Sequence, residues 1–180
     1  VRSRRFIIDS TDVATNASLP FGKKLIRDAF RKVIREVEAF DETLAKTTQE
    51  AFEADISKEY ESGGKVDAAK HYEIALKHMN HLYVLTHDEL EANKDYRSAY
   101  EICYDIADYH LNRKKDKIVS VVDPDARAGY KSPRKAKVGY KDHILVDEDS
   151  EIILASAQTP FNVGDEKELK NLVDKVEDTF

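Results

Sequence analysis

The sequence predicts an α/β (α+β) protein in which a small sheet is interrupted by a large all-helical insertion. Three observations lead to this fold class. An apolar run at residues 6–8 is typical of a strand, residues 19–115 show helical periodicity, and strand-like segments return in residues 116–180. A first strand without a sheet partner would leave its backbone hydrogen-bonding groups unsatisfied. An insertion into one sheet is therefore favoured over two separate domains.

Size and composition limit the class of protein. The chain has 180 residues, of which 41% are hydrophobic and 36% are charged, so a soluble, helix-rich globular protein is expected. Its one cysteine, Cys103, excludes an internal disulfide and fits a reducing cytosol. The sequence has no apolar run long enough for a membrane span and no secretory signal, so no membrane partner is expected. Since it opens on Val1 rather than on methionine, we expect a piece of a longer protein.

Residues 1–18 contain the first predicted strand and the first candidate site residue. Phe6, Ile7 and Ile8 form a short apolar run that predicts a buried strand. The polar residues from Asp9 onward are expected at the carboxyl end of this strand. A carboxylate held there on a rigid strand is suited to bind Mg²⁺ through its oxygens. The residues alone favour a second interpretation, in which Asp9 is a turn or helix-capping acid.

Residues 19–115 predict a helical hairpin or a small bundle. Apolar residues recur mostly at steps of three and four on both sides of one break, at Gly63 and Gly64, which is typical of amphipathic helices. Three histidines in this segment share helical spacings: His71, His78 and His81. Three imidazoles on one helical face could bind zinc, but solvent-exposed histidines are the favoured interpretation in so polar a helix.

Residues 116–180 predict the rest of the sheet and a final helix. A β-branched run at residues 118–122 and an alternating segment at residues 138–146 predict strands, separated by a Pro-, Gly- and Lys-rich loop from Asp123 to Lys137. Residues 147–154 predict a hairpin connection into a further strand. The last helix is expected to bury one apolar stripe, formed by Leu169, Leu172, Val173 and Val176.

Charge is unevenly distributed along the chain. The net charge is −6 at pH 7, but the stretch from Arg113 to His143 holds ten basic and four acidic residues and carries +6, so the rest carries −12. A local basic block on an acidic protein could contact phosphates, but a solvated loop without a partner is the interpretation that the charge alone favours. Phosphate binding by this block therefore needs support from other features of the chain.

Two parts of the chain resemble a known family. The segment FIIDSTDVATNA at residues 6–17 resembles the first catalytic segment of the DDE-type (RNase H-like) transposases of bacterial insertion sequences. In residues 121–169, DPDAR, GYKDH, VDEDSEII and TPFNVGD follow one another in an order similar to the branch of that family with a helical insertion. The helical segment resembles that insertion only in position and character. The resemblance implies a partial RNase H-like mixed sheet in residues 1–18 and 116–180, with the insertion in residues 19–115.

The resemblance also implies a catalytic role for Asp9. This residue matches the first carboxylate of the DDE triad, which binds Mg²⁺ (or Mn²⁺) in the complete active site. The second and third carboxylates are expected after Phe180, so the fragment alone is expected to be inactive. Asp165 is interpreted as a helix N-cap rather than as the second carboxylate. No role is assigned to Asp123 or Asp125.

The reaction that the resemblance implies is metal-dependent DNA cleavage and strand transfer at the ends of an insertion sequence. The implied partners are the transposon ends and target DNA. The full-length protein is expected to be a homodimer, located in the bacterial cytoplasm in association with the nucleoid. The implied phosphate contacts are basic residues in the last third of the chain: Arg127, Lys131, Arg134, Lys135, Lys137 and Lys141.

An alternative to catalysis is a function in protein binding. The helical segment could be a non-catalytic protein-interaction module, or the chain could be a decayed transposase remnant. A partner helix would then contact the tyrosine-rich faces of the helices, formed by Tyr72, Tyr83, Tyr96, Tyr100, Tyr104 and Tyr109. These tyrosines could also pack the bundle, with their hydroxyls at its rim. Binding of DNA with a steep salt dependence separates the two classes.

Overall fold

In a computed structural model, the protein is described at residues 5–14, 22–61, 67–114, 117–132 and 135–179. Along this part of the chain the elements follow in the order β1 (Phe6–Ala14), α1 (Lys23–Glu38), α2 (Glu42–Glu61), α3 (Ala68–Leu85), α4 (His87–Ala92), α5 (Lys94–Leu111), β2 (Arg127–Ser132), β3 (Lys135–Asp147), β4 (Ile153–Pro160) and α6 (Asp165–Thr179). They fall into two compact units. The sheet unit consists of Val1–Asn16 and Asp125–Phe180, and the helical unit consists of Ala17–Pro124.

The helical unit confirms the helical character predicted for this segment. The apolar residues of α1, from Leu25 to Val37, are buried at helical spacing, and the rings of Phe30 in α1 and Phe52 in α2 stack with their centroids 4.0 Å apart. The side chains of Asp67 and Asn93 cap α3 and α5 by accepting backbone hydrogen bonds. Apolar stripes and caps thus specify helices whose inner faces meet in one core. Within the described part of the chain, no helix is long and apolar enough to cross a membrane.

The helical unit extends further along the chain than the sequence predicts. The segment at residues 118–122 forms no strand, which corrects the prediction, and Ile118, Val119 and Val121 are buried. Ile118 and Val121 belong to the core of the helical unit. Strand propensity largely reflects how a side chain fits a half-buried surface, so burial against helices can override it. The helical unit therefore runs to Pro124, beyond the predicted end of the insertion at residue 115. Its predicted start at residue 19 lies outside the described residues.

The interpretation of the histidines as exposed is wrong for two of them. His71 and His78 are buried, whereas His81 is exposed. A step of seven residues places His71 and His78 on the same inner face of α3. His71 Nε2 lies 3.4 Å from the Tyr60 hydroxyl, and His78 Nε2 lies 3.1 Å from the Asp55 carboxylate. Among the described residues there is no group of three or more His, Cys, Asp or Glu side chains that could hold a metal ion.

The described strands form one antiparallel sheet around β3. This strand pairs with β1, β2 and β4, and all three pairings are antiparallel. The α/β character is therefore confirmed, while the prediction of a mixed sheet is wrong for the described strands. The predicted hairpin between β3 and β4 is also confirmed. The Asp147 carboxylate accepts hydrogen bonds from the backbone N–H and the hydroxyl of Ser150 in this turn, at 3.2 and 2.5 Å.

Strand β2 lies within the segment predicted as a loop, so that prediction is wrong. It pairs with the first residues of β3, with an irregularity between Tyr130 and Ser132. Gly129 allows a close approach here, because a Cβ at this position would lie 2.5 Å from the ring of Phe161. Pairing with a distant segment, rather than local composition, determines this strand.

Helix α6 covers one face of the sheet. Leu172 and Val176 of α6 pack with Leu145 of β3 in the buried core of the sheet unit. The predicted apolar stripe of α6 is confirmed for these two residues, whereas Leu169 is exposed. We refer to the covered side of the sheet as the α6 face and to the other side as the opposite face.

Candidate metal and phosphate site

Asp9 lies in the middle of β1, where this strand pairs with β3. The prediction that the strand ends near Asp9 is wrong, because β1 continues to Ala14 and pairs with β3 along its whole length. The strand is also less buried than predicted, since Ile7 is 50% exposed. Asp9 is exposed, stands opposite Ile144, and accepts a hydrogen bond from the Ser10 backbone N–H at 2.8 Å. A paired strand therefore positions its carboxylate.

The register of the sheet determines which side chains share a face with Asp9. Directly opposite residues on neighbouring strands point to the same face, and successive residues alternate between faces. Ile8 stands opposite Leu145, which packs with α6, so Asp9 lies on the opposite face. Near Asp9, the oxygen-bearing side chains of that face are Thr11 in β1, Asp142 in β3, and Ser156 and Gln158 in β4. Tyr140 and Tyr130 lie on the same face further along the sheet.

Asp142 is the second carboxylate on this face. It stands opposite Thr11, two positions beyond Asp9 in β1, so Asp9 and Asp142 are diagonal neighbours. Residues in this relation typically lie about 7–8 Å apart. Neither carboxylate forms an ion pair with a described residue. Sequence reasoning missed Asp142, because only the pairing register brings it beside Asp9.

The donor chemistry of this face fits Mg²⁺ or Mn²⁺. Mg²⁺ prefers oxygen ligands, and proteins commonly supply one or two carboxylates while waters and substrate phosphates complete the coordination shell. Asp9 and Asp142 would be the carboxylate ligands of such an ion. A cation bound between the two carboxylates would offset their negative charges.

Three of the predicted phosphate-contacting residues lie on the α6 face, away from Asp9. The register of β2 against β3 places Arg127 on this face, and Lys137 and Lys141 occupy alternate positions of β3 on the same side. Lys137 forms an ion pair with Asp12, which also lies on the α6 face. The sheet therefore separates these cations from the predicted metal ligand.

The described cations differ in how much of their charge is free to bind phosphate. The side chain of Lys141 is only 19% exposed, and its ammonium donates to the Val163 carbonyl at 3.1 Å and lies 3.5 Å from the Asp165 carboxylate. Because these contacts and its burial occupy the Lys141 ammonium, this group has little capacity left to bind a phosphate. Lys137 is exposed at the start of β3. The other three predicted contacts lie outside what the structure describes: Arg134 entirely, and Lys131 and Lys135 in their side chains.

Asp165 connects the start of α6 to β3. The helix begins at Asp165 itself, so the interpretation of this residue as an N-cap is wrong. Its Oδ1 atom lies 3.3 Å from Nδ1 of buried His143, whose Nε2 lies 2.8 Å from the Thr159 hydroxyl. These contacts are on the α6 face, so Asp165 does not share a face with Asp9. The placement supports a structural role for Asp165.

Comparison of the chain with models of protein families, with curated proteins and with solved structures gives no match. The functional interpretation therefore depends on the residues themselves and on the sequence resemblance to DDE-type transposases.

Proposed function

We propose that this chain is part of the catalytic domain of a DDE-type transposase and that Asp9 binds the Mg²⁺ (or Mn²⁺) ion of its active site. The observation that carries the proposal is the sheet face shared by Asp9 and Asp142, two carboxylates without a cationic partner among the described residues. A divalent ion would neutralise both charges. The resemblance of residues 6–17 and 121–169 to this family supports the same assignment.

The proposed reaction is phosphoryl transfer on DNA. A bound Mg²⁺ ion supplies Lewis-acid chemistry, since it lowers the pKa of a coordinated water and neutralises charge that develops on the phosphate. Asp9 and Asp142 would fix the position of the reacting phosphate relative to the protein, because both project from paired strands. Water would hydrolyse the phosphodiester at the end of the element, and the freed 3′-hydroxyl would attack target DNA. The further carboxylates that the family resemblance implies would complete the site.

Phosphate binding by Arg127 and Lys137 belongs to the same proposal. Their positions on the α6 face separate them from Asp9, so they would contact backbone phosphates beside the reacting one. In that role they orient the DNA and take no part in the chemistry. The homodimer and the nucleoid-associated location are proposed on the resemblance alone.

Titration with Mn²⁺, followed by NMR, tests the proposed metal site. This paramagnetic ion broadens the signals of nearby nuclei, so the backbone signals of β1 and of the middle of β3 are expected to broaden first. Asp9→Asn is expected to weaken Mn²⁺ binding by about tenfold or more, which corresponds to about 1.4 kcal/mol. Asp142→Asn is expected to weaken binding in the same direction. Asp149→Asn, in the exposed turn after β3, is the matched control and should leave the titration unchanged.

Two results would contradict the assignment of Asp9 as a metal ligand. One is equal broadening of β1 and β3 in the unmodified chain and in the Asp9→Asn variant. The other is broadening that is strongest at the turn containing Asp149, because this would indicate non-specific attraction of the cation to exposed acids.

A further inference from the structure

A groove between α3 and α5 in the helical unit is lined by aromatic and acidic side chains. Its volume is about 530 Å³, and its lining residues are Asn80, Tyr83, Tyr100, Glu101, Tyr104 and Asp105. The groove lies wholly within the helical unit and contains none of the residues of the proposed metal site. The inference drawn from it therefore does not depend on the transposase proposal.

Tyr100 anchors the centre of the groove. It is only 8% exposed, and its hydroxyl donates a hydrogen bond to the Met79 carbonyl at 3.1 Å. The rings of Tyr83 and Tyr104 are its aromatic neighbours, each with its centroid 6.4 Å from that of Tyr100. The rings of Tyr100 and Tyr104 are nearly parallel, with an interplanar angle of 12°. A rigid buried ring thus holds two outer rings in place.

The outer rings are not explained by packing of the bundle. Tyr72 and Tyr96 are buried and serve the core, as the packing interpretation of the tyrosines predicts. Tyr83 and Tyr104, however, are 46% and 40% exposed. Aromatic rings held at the surface beside carboxylates form a suitable environment for a cation, because the ring faces carry negative electrostatic potential.

The carboxylates of the groove add negative charge that no described cation neutralises directly. Glu101 is exposed and Asp105 is half-buried, and neither forms an ion pair with a described residue. The ammonium of Lys114 is bound to Asp108 instead. Burial and the neighbouring carboxylates of Asp108 and Glu101 raise the pKa of Asp105, although the Lys114 ammonium acts in the opposite direction. An approaching cation would relieve this repulsion, whereas a DNA phosphate would increase it.

The charge and the exposed rings of the groove together determine the kind of partner that fits. The two carboxylates favour a cation, and the ring faces of Tyr83 and Tyr104 favour one that can stack on them. A basic peptide segment presents such a cation on a side chain long enough to enter a groove.

We propose that this groove binds an arginine side chain in a basic segment of a partner protein. The planar guanidinium group can stack on tyrosine rings and donate paired hydrogen bonds to a carboxylate at the same time. A lysine ammonium is a compact charge without a planar face, so it uses the rings and the carboxylates less fully. Tyr83 and Tyr104 supply the ring faces, and Glu101 and Asp105 supply the acceptors.

Fluorescence anisotropy with a labelled peptide tests the inference. The probe is an alanine-rich peptide with three arginines, and its counterpart carries the neutral isostere citrulline at the same positions. The arginine peptide is expected to bind more tightly than the citrulline peptide. Tyr104→Leu and Asp105→Asn are each expected to weaken its binding by about fivefold or more. Tyr130→Leu removes an exposed tyrosine of the sheet unit and is the control that should leave binding unchanged.

The outcomes separate the inference from its alternatives. Equal affinity for the arginine and citrulline peptides would overturn it, as would unchanged affinity in both groove variants. Tyr83→Leu, at another exposed position, supplies a second ring variant if Tyr104→Leu alters the circular dichroism spectrum of the fold. Sedimentation velocity identifies the remaining alternative: a dimer that dissociates in the groove variants would mean that a second copy of this chain, and not a separate basic partner, occupies the groove.

Discussion

His78 links the folding of the helical unit to pH. It is buried on the inner face of α3, and burial lowers its pKa although the neighbouring Asp55 acts in the opposite direction. The Asp55 carboxylate accepts a hydrogen bond from Lys77 at 2.7 Å, which is the main reason that its pKa falls to about 2. The folded chain therefore favours a neutral imidazole beside an ionised carboxylate at neutral pH.

We expect the stability of the protein to fall on acidification, in part because of His78. An unfolded histidine titrates near its ordinary pKa of 6.5, whereas the folded one titrates lower, so the unfolded chain binds the proton first. The free energy of unfolding should then decrease as the pH falls below about 6.5, and His78→Gln should reduce this dependence. Part of the pH dependence should remain in the His78→Gln variant, because burial also lowers the pKa of His71 and His110.

Urea unfolding followed by circular dichroism at a series of pH values measures this effect of His78. His81→Gln, which changes an exposed histidine of the same helix, is the matched control. The expected result is a clearly shallower pH dependence in His78→Gln and a much smaller change in His81→Gln, because the charge of His81 contributes only a small part of the lowered pKa of His78. The same pH dependence in the His78→Gln variant and the unmodified chain would show that this buried imidazole does not couple folding to protons.

At the scale of the elements, helices and strands differ in how far the local sequence determines them. Apolar spacing predicts α1 and α6, and alternation predicts β3, because these periodicities are local properties. Local composition predicts the wrong state for residues 118–122 and for β2. Ile118 and Val121 instead join the helical core, and the Gly- and Lys-containing β2 forms because β3 provides hydrogen-bonding partners. Both outcomes depend on distant contacts, which local composition does not record.

The packing of β2 gives a prediction about Gly129. A Cβ atom at this position would lie 2.5 Å from the Phe161 ring and 3.0 Å from the Phe161 carbonyl oxygen. Because a backbone atom cannot move away as a flexible side chain can, Gly129→Ala is expected to destabilise the sheet unit by about 1–3 kcal/mol. Urea unfolding measures the change. Gly164→Ala is the control, since its Cβ would meet its nearest neighbour at an ordinary 3.6 Å. Equal stability of the two variants would mean that β2 does not pack closely on Phe161.

At the scale of the whole molecule, the predicted site is divided between the two faces of the sheet. Sequence reasoning identified Asp9 and a basic block, but alternation along β3 places Asp142 on the face of Asp9 and Lys137 on the α6 face. The sequence shows the alternation within each strand, but not the register that relates one strand to another. A shift of one residue in that register would reverse every assignment to a face. The residue types of the candidate site are therefore predictable in part, whereas their arrangement is not.

This division predicts that DNA binding and metal binding respond to different substitutions. Replacing Arg127 and Lys137 together by glutamine is expected to weaken DNA binding at every sequence. It should also reduce the slope of log affinity against log salt by about one for each phosphate that the variant no longer binds. Asp9→Asn, on the opposite face, is expected to reduce Mn²⁺ binding and, in DNA titrations without divalent metal, to leave that slope unchanged. Replacing Lys46 and Lys94 together by glutamine, at exposed positions of the helical unit, removes the same charge and is the matched control, which should leave the slope unchanged.

Anisotropy of a labelled DNA duplex, measured over a series of salt concentrations, distinguishes the two faces. An unchanged slope in the double variant of Arg127 and Lys137 would mean that these cations do not contact phosphates, and the proposed orientation of DNA would fail while the metal site could stand. A slope altered by Asp9→Asn as strongly as by the double variant would mean that both faces act on the same phosphates. Because a phosphate cannot contact both sides of a paired strand at once, that result would contradict the register of β1 against β3 itself.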